Sequence, residues 1–200
     1  MIYNPLGHSN IQVSRICLGT MTWGEQNTQV EAFEQMDYAL DNGVNFWDTA
    51  ELYAVPPTAE TYGATETIIG HWLEANPEKR HDIVLASKIT GGGVSWVRGG
   101  DDITGDFVTA AIENSLKRLK TDYIDLYQLH WPNRATPHFS KHWIGDTDPN
   151  VVDVAAQSDG MLDILRALDK AMRAGKIRAI GLSDDTPWGI SEYLRLAEKH

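Results

Sequence analysis

Short apolar runs alternate along the chain with longer stretches whose hydrophobic positions recur at helical spacing, and this alternation predicts the elements. Residues 1–13 read as a hairpin, two short extended pieces around Gly7-His8-Ser9-Asn10. A first apolar strand follows at 14–19. A helix is predicted over 28–42, where Val30, Phe33, Met36 and Leu40 recur at helical spacing and Gly43 ends the run. A second strand covers 44–48. A second helix covers 64–75, with Ile68, Ile69, Trp72 and Leu73 on one face. The third strand is 83–88, and the third helix starts near Asp106 with an inner stripe of Val108, Ala111, Ile112, Ser115, Leu116 and Leu119. The fourth strand, 124–130, runs into a long polar segment from Trp131 to Asp159. A fourth helix, 160–174, is expected to bury Met161, Leu165, Leu168 and Met172 and to end at Gly175. The fifth strand is 177–183. The last helix opens at Thr186-Pro187, a capping residue followed by proline at the first helical position, and uses Ile190, Tyr193, Leu194 and Ala197.

Strands alternating with helices build a parallel sheet with helices packed outside it, joined by right-handed crossovers. A closed barrel and an open doubly wound sheet compete. The turn after the first strand, Gly19-Thr20-Met21-Thr22-Trp23-Gly24, lacks the GxGxxG spacing of a dinucleotide-binding doubly wound fold, and an N-terminal hairpin suits a barrel floor. The expectation is one α/β domain over residues 1–200, of the (β/α)8 TIM-barrel type. Five β/α units are counted where a barrel has eight, so the domain is expected to be a fragment that stops after the fifth unit.

Composition narrows the class. The 200 residues carry a formal net charge of −11 with no Lys/Arg cluster, which argues against nucleic acid as a partner. No apolar run is long enough for a membrane span, and the N-terminus lacks a basic start before an apolar stretch, so a cytoplasmic protein is expected. Cys17 lies alone in Ile16-Cys17-Leu18, excluding an internal disulfide, and is expected to be a buried thiol.

The chemistry collects at strand ends. The second, third, fourth and fifth predicted strands end on Asp48, Lys88, His130 and Ser183, and Tyr53 follows Asp48 by five residues. Singly, each has an ordinary structural reading: a loop cap, a solvent-seeking lysine, a packed aromatic, a histidine at the core edge. Together, on successive parallel strands, they converge on the C-terminal mouth where barrel enzymes place their sites. A lysine ammonium favours the phenolate of a nearby tyrosine, and a carboxylate beside the lysine offsets the burial of its charge. A histidine there can orient a substrate oxygen. Such a set suits protonation of a carbonyl oxygen but supplies no hydride, so it implies a cofactor. Gly91-Gly92-Gly93 reads as a flexible turn and is too short for a phosphate loop. His138 and His142 are four apart but lack a third ligand, so no metal site is expected. A metal-dependent barrel hydrolase would need more ligands at strand ends than one histidine provides.

The sequence resembles the aldo-keto reductase family over essentially its whole length. The matching pieces are Leu18-Gly19-Thr20-Met21, Asp48-Thr49-Ala50 with Tyr53, Ser87-Lys88, Gln128-Leu129-His130-Trp131-Pro132, and Gly175 through Ser183. Val55-Pro56-Pro57 resembles the bacterial Tas-like branch. The resemblance implies an NADPH-dependent oxidoreductase that reduces small aldehyde or ketone substrates. It implies a catalytic tetrad of Asp48, Tyr53, Lys88 and His130, with Tyr53 as general acid. It further implies cofactor contacts from Gly19, Thr20, Met21, Asp48, Ser183 and Asp184, and a substrate pocket lined by Trp23, Tyr53 and Trp131. Asp184 stands where the family usually has Asn, and an ionised carboxylate only accepts hydrogen bonds. The family's last three units, which carry its pyrophosphate loop and the basic residues that read the adenosine phosphate, are not found. The alternative that follows is a noncatalytic binding or regulatory module of the same fold.

Overall fold

The structure, a computed structural model, describes residues 1–134 and 153–200. It opens with an antiparallel hairpin of β1 (Tyr3–Pro5) and β2 (Gln12–Ser14), in the register Tyr3 opposite Ser14. Five parallel strands follow: β3 (Cys17–Gly19), β4 (Phe46–Asp48), β5 (Val84–Ile89), β6 (Ile124–Leu129) and β7 (Ile177–Leu182). Their order in the sheet is their order in the chain. A doubly wound sheet would reverse direction partway across; a barrel adds each strand beside the last. The architecture is therefore five β/α units of a (β/α)8 barrel.

Helices α1 (Gln29–Asp41), α2 (Ala64–Ala75), α3 (Gly105–Leu119), α4 (Val154–Arg173) and α5 (Pro187–Lys199) follow β3 to β7 in turn. Side chains fix where most of them start. The Thr28 hydroxyl accepts from the Glu31 N–H while the Glu31 carboxylate accepts from the Thr28 N–H, a reciprocal capping box. Thr104, Asp153 and Thr186 accept from the third residue beyond them at the starts of α3, α4 and α5.

The main core lies between sheet and helices. Trp47, Leu85, Tyr127 and Leu129 from the strands meet Met36, Ile69, Trp72, Ile112, Leu119 and Leu168 from the helices. A smaller cluster on the other face joins Leu6, Ile11 and Val13 of the hairpin region to Phe46, Val84 and Ala179. The hairpin thus floors the inner face at the N-terminal ends of the strands. Because side chains alternate along a strand, the same inner face continues upward through Asp48, through Ala86 and Lys88, through Gln128 and His130, and through Gly181 and Ser183. Pairing agrees with this: Gly19 lies in register with Asp48, Lys88 with Gln128, and Gln128 with Gly181.

Several expectations about packing are corrected. Cys17 is exposed, because β3 has a neighbour only in β4 among the described residues and Cys17 faces the open inner side. Its thiol is nonetheless pushed up to about 12, first by desolvation and then by the Asp48 carboxylate, so exposure does not make it a reactive thiolate. On α1, Ala32, Met36 and Ala39 are buried and Phe33 and Leu40 pack half-buried against the core, as expected for Phe33, Met36 and Leu40, while Val30 is turned to solvent. On α4, Ile164 and Ala171 are buried beside Met161 and Leu168, while Met172 is exposed. On α5, Tyr193 and Leu196 are buried and Ile190 and Leu194 are not. Helix α4 also begins six residues before the expected start at Gly160, inside the stretch read as polar loop. His138 and His142 lie outside the described residues. Among the described residues no helix is long and apolar enough to cross a membrane.

Candidate active site

Four side chains meet at the C-terminal mouth of the sheet. Lys88 comes from the inner face of β5 and is nearly enclosed, its side chain 7 % exposed. Its ammonium donates to Asp48 Oδ2 at 2.6 Å, to the Thr49 carbonyl at 2.9 Å and toward the Tyr53 hydroxyl at 3.5 Å. All three acceptors belong to the end of β4 and the loop after it. The Nζ also lies 5.0 Å from the centre of the Tyr53 ring. Asp48 keeps its second oxygen for Gln128, whose side-chain amide donates to Oδ1 at 3.3 Å.

His130 continues the inner face one residue past β6, its N–H donating to the Ile89 carbonyl at 3.0 Å. Its ring meets the Tyr53 ring edge-on with centroids 5.6 Å apart, and touches Trp131 at 5.0 Å. Burial, with the Lys88 charge adding to it, holds the imidazole down to about 3. The ring is therefore neutral at neutral pH, and the fixed charges at the centre of the cluster are one ammonium and one carboxylate.

The other expected site residues divide. Gly19 lies beside Asp48, and a β-carbon there would meet nothing within 4 Å, so the inner face is open at that point. Thr20 is fully buried and spends its N–H and hydroxyl on the Asp48 carbonyl, at 3.2 and 2.8 Å, fastening the end of β3 to the end of β4. Met21 is exposed in the same loop. Ser183 is half-buried just beyond β7, and Asp184 is exposed with a left-handed φ of 49°, a conformation Asp tolerates better than most residues. Arg134 ion-pairs with Asp185 and donates to the Thr186 hydroxyl at 2.9 Å, anchoring that turn to the end of β6. Trp131 packs with Leu52 and Val97 and donates to the Gly92 carbonyl at 3.0 Å. Gly91 leaves it room: a β-carbon at that position would stand 2.1 Å from the indole nitrogen.

Trp23 is not brought to the mouth. It has no exposed surface, packs in the helix-side core and donates to Gln35 of α1 at 2.9 Å. A loop residue has no fixed period to assign its face, and this one turned outward, away from the inner face. The structure adds Thr49 and Gln128 to the site. Gln128 sits two residues before His130 on β6, so strand parity alone places it on the same face. Thr49 acts through its carbonyl, which side-chain chemistry does not reveal.

The chain belongs to the aldo/keto reductase family, whose model matches residues 15–200. It is similar to Protein tas of Escherichia coli (strain K12), 44 % identical over 203 residues covering 100 % of this chain and 57 % of that protein. It is also similar to the uncharacterized oxidoreductase YrpG of Bacillus subtilis (strain 168), 36 % identical and covering 100 % of this chain and 54 % of that one. Among solved structures, the holo form of aldo-keto reductase AKR11C1 from Bacillus halodurans superposes with a TM-score of 0.70. The two are 32 % identical, over 98 % of this chain and 54 % of that one. The chain therefore spans a little over half the length of these relatives.

Proposed function

We propose that the cluster at the strand ends reduces aldehyde or ketone carbonyls to alcohols, with NADPH as the hydride source and Tyr53 as the general acid. The observation that carries this reading is the placement of Lys88 Nζ between Asp48 Oδ2 and the Tyr53 hydroxyl, at 2.6 and 3.5 Å.

In this reading the Tyr53 O–H donates its proton to the carbonyl oxygen, and the Lys88 ammonium stabilises the negative charge left on the phenol oxygen. Asp48 makes the ammonium tolerable in a site that hides it from water, since a lone buried charge is strongly disfavoured. His130, neutral at working pH, orients the carbonyl oxygen through a ring nitrogen without competing with Tyr53 as an acid. Trp131, beside His130, borders the substrate.

NADPH, when bound, supplies hydride to the carbonyl carbon. The residues at the mouth fit a nicotinamide. Gly19 would leave the ring room beside Asp48, since a β-carbon there would meet nothing within 4 Å. A carboxamide presents one acceptor and two donor hydrogens; the Ser183 hydroxyl suits the first and the Asp184 carboxylate the second. The acceptor-only side chain at position 184 is thus compatible with the carboxamide when Ser183 supplies the donor. Gly19, Thr20 and Met21 would flank the ring on the β3 side, with Thr20 acting through its hold on Asp48.

Titration of the purified chain with NADPH, followed by tryptophan fluorescence and melting temperature together, tests the cofactor part. Saturable quenching with a rise of melting temperature is expected, because a ligand that binds only the folded state stabilises it. A folded chain that shows neither response would count against the reading.

A further inference from the structure

The loop that carries Tyr53 is tied to the strand that carries Lys88 by a carboxylate the proposed chemistry does not use. Beyond β4 the chain keeps pairing with β5: the Thr49 N–H donates to the Ala86 carbonyl at 2.9 Å and the Glu51 N–H to the Lys88 carbonyl at 3.2 Å. The next donor along β5 is the Thr90 N–H, and it finds the side chain of Glu51, with Oε1 at 2.6 Å. The same oxygen accepts from Arg98 Nη2 at 2.7 Å, and that nitrogen also donates to the Thr90 carbonyl at 2.7 Å. The second oxygen accepts from the Tyr62 hydroxyl at 2.7 Å. Glu51 is fully buried, and Arg98 is held in left-handed backbone with a φ of 49°. Tyr53 lies two residues on, its N–H turned back to the Ala50 carbonyl at 3.1 Å, so Glu51 and Tyr53 belong to one tight turn.

A buried ion pair adds little net stability, because desolvation of both charges offsets most of their attraction. Apolar side chains would fill the same space with less desolvation. What the carboxylate adds is direction: it accepts three hydrogen bonds, from the Thr90 N–H, Arg98 and the Tyr62 hydroxyl, and with the backbone bond from the Glu51 N–H to the Lys88 carbonyl they fix the turn against the end of β5 in one orientation. The geometry points to Glu51, locked by Arg98, as a positioning residue that keeps the Tyr53 hydroxyl within reach of Lys88 Nζ. The consequence for catalysis rests on the reading of Tyr53 as general acid; the tether itself does not.

Glu51→Gln keeps the shape and removes the charge that Arg98 needs. The test is NMR of the full chain labelled at the tyrosine ring carbon bearing the hydroxyl. Of its seven tyrosines, Tyr53 and Tyr62 are assigned by their loss in Tyr53→Phe and Tyr62→Phe. In Glu51→Gln both resonances are expected to move by more than a linewidth while the others stay. If Glu51→Gln does not fold, the double variant Glu51→Gln/Arg98→Met leaves no unpaired buried charge and is expected to give the same pattern. A shift of Tyr62 with Tyr53 unmoved, or a shift of all the tyrosines together, would overturn the assignment. The resonances report without cofactor or turnover, so a wild-type chain that reduces no carbonyl sinks the reductase reading and leaves this result standing. Where turnover is present, kcat of Glu51→Gln is expected to fall by about a hundredfold, as for a misplacement of about 1 Å, with NADPH affinity kept.

Discussion

Burial holds the His130 imidazole at about 3, against an ordinary 6.5. In the unfolded chain this histidine takes up a proton below about 6.5, whereas in the folded chain it resists doing so until about 3. Between those values the unfolded state binds more protons, so stability rises with pH across the window. The contribution is complete above about 6.5 and is lost progressively as pH falls toward 3. Melting temperatures recorded from pH 7 to pH 4 should therefore fall less steeply for His130→Asn than for the wild type; equal slopes would mean the ring is not the buried neutral group described. At this scale much of the site was legible in the sequence. Asp48 and Lys88 sit on strands and His130 one residue past β6, where the strand's period of two still assigns each a face. Trp23 sits in a loop, where no period does. Glu51 and Arg98 went unread because they are 47 residues apart in two loops, where charges ordinarily face water.

Helix contacts show how local preference yields to packing. Gly70 lies inside α2, where alanine would ordinarily gain about 1 kcal/mol. A β-carbon there would stand 2.0 Å from the Arg118 carbonyl oxygen of α3, a backbone atom that cannot swing aside. Gly70→Ala is expected to destabilise by about 1–3 kcal/mol through forced separation of the two helices, measurable by urea unfolding; a gain in stability would show that they do not approach so closely. The same pair of helices is bridged by Glu66, fully buried, which accepts from Arg118 Nε at 2.6 Å and from the Ser87 hydroxyl at 2.5 Å. Removing one partner of a buried pair strands the other, so Glu66→Gln should cost about 3 kcal/mol in the same assay. Element types and the run of α2 were readable from periodicity. Rotations about the helix axes were less so. In α1 the small Ala32 and Ala39 are buried and the larger Val30 is exposed, the reverse of their order in hydrophobicity. The first two turns of α4, Val154 to Gly160, bury no side chain and so show no hydrophobic period, and the Asp153 cap marks their start.

For the whole molecule, the sequential strand order and the hairpin floor settle the architecture. The alternation of elements predicted a parallel sheet, and the missing glycine fingerprint favoured the barrel over the doubly wound form. Phe46, Val84 and Ala179 pack on the hairpin below, and the tetrad stands above them on the same face. On the proposed reading, substrate therefore approaches from the C-terminal side, toward Tyr53 and His130. The claim that joins these levels is that Tyr53, held beside Lys88, protonates a carbonyl oxygen. Its most direct test is NADPH consumption with a set of small aldehydes, measured side by side for the wild-type chain and Tyr53→Phe at saturating cofactor. The account predicts turnover by the wild type and a loss of about 10²–10⁴-fold in Tyr53→Phe, the range for removing a general acid, with NADPH still bound. Equal rates in the two proteins, with NADPH bound by both, would contradict it.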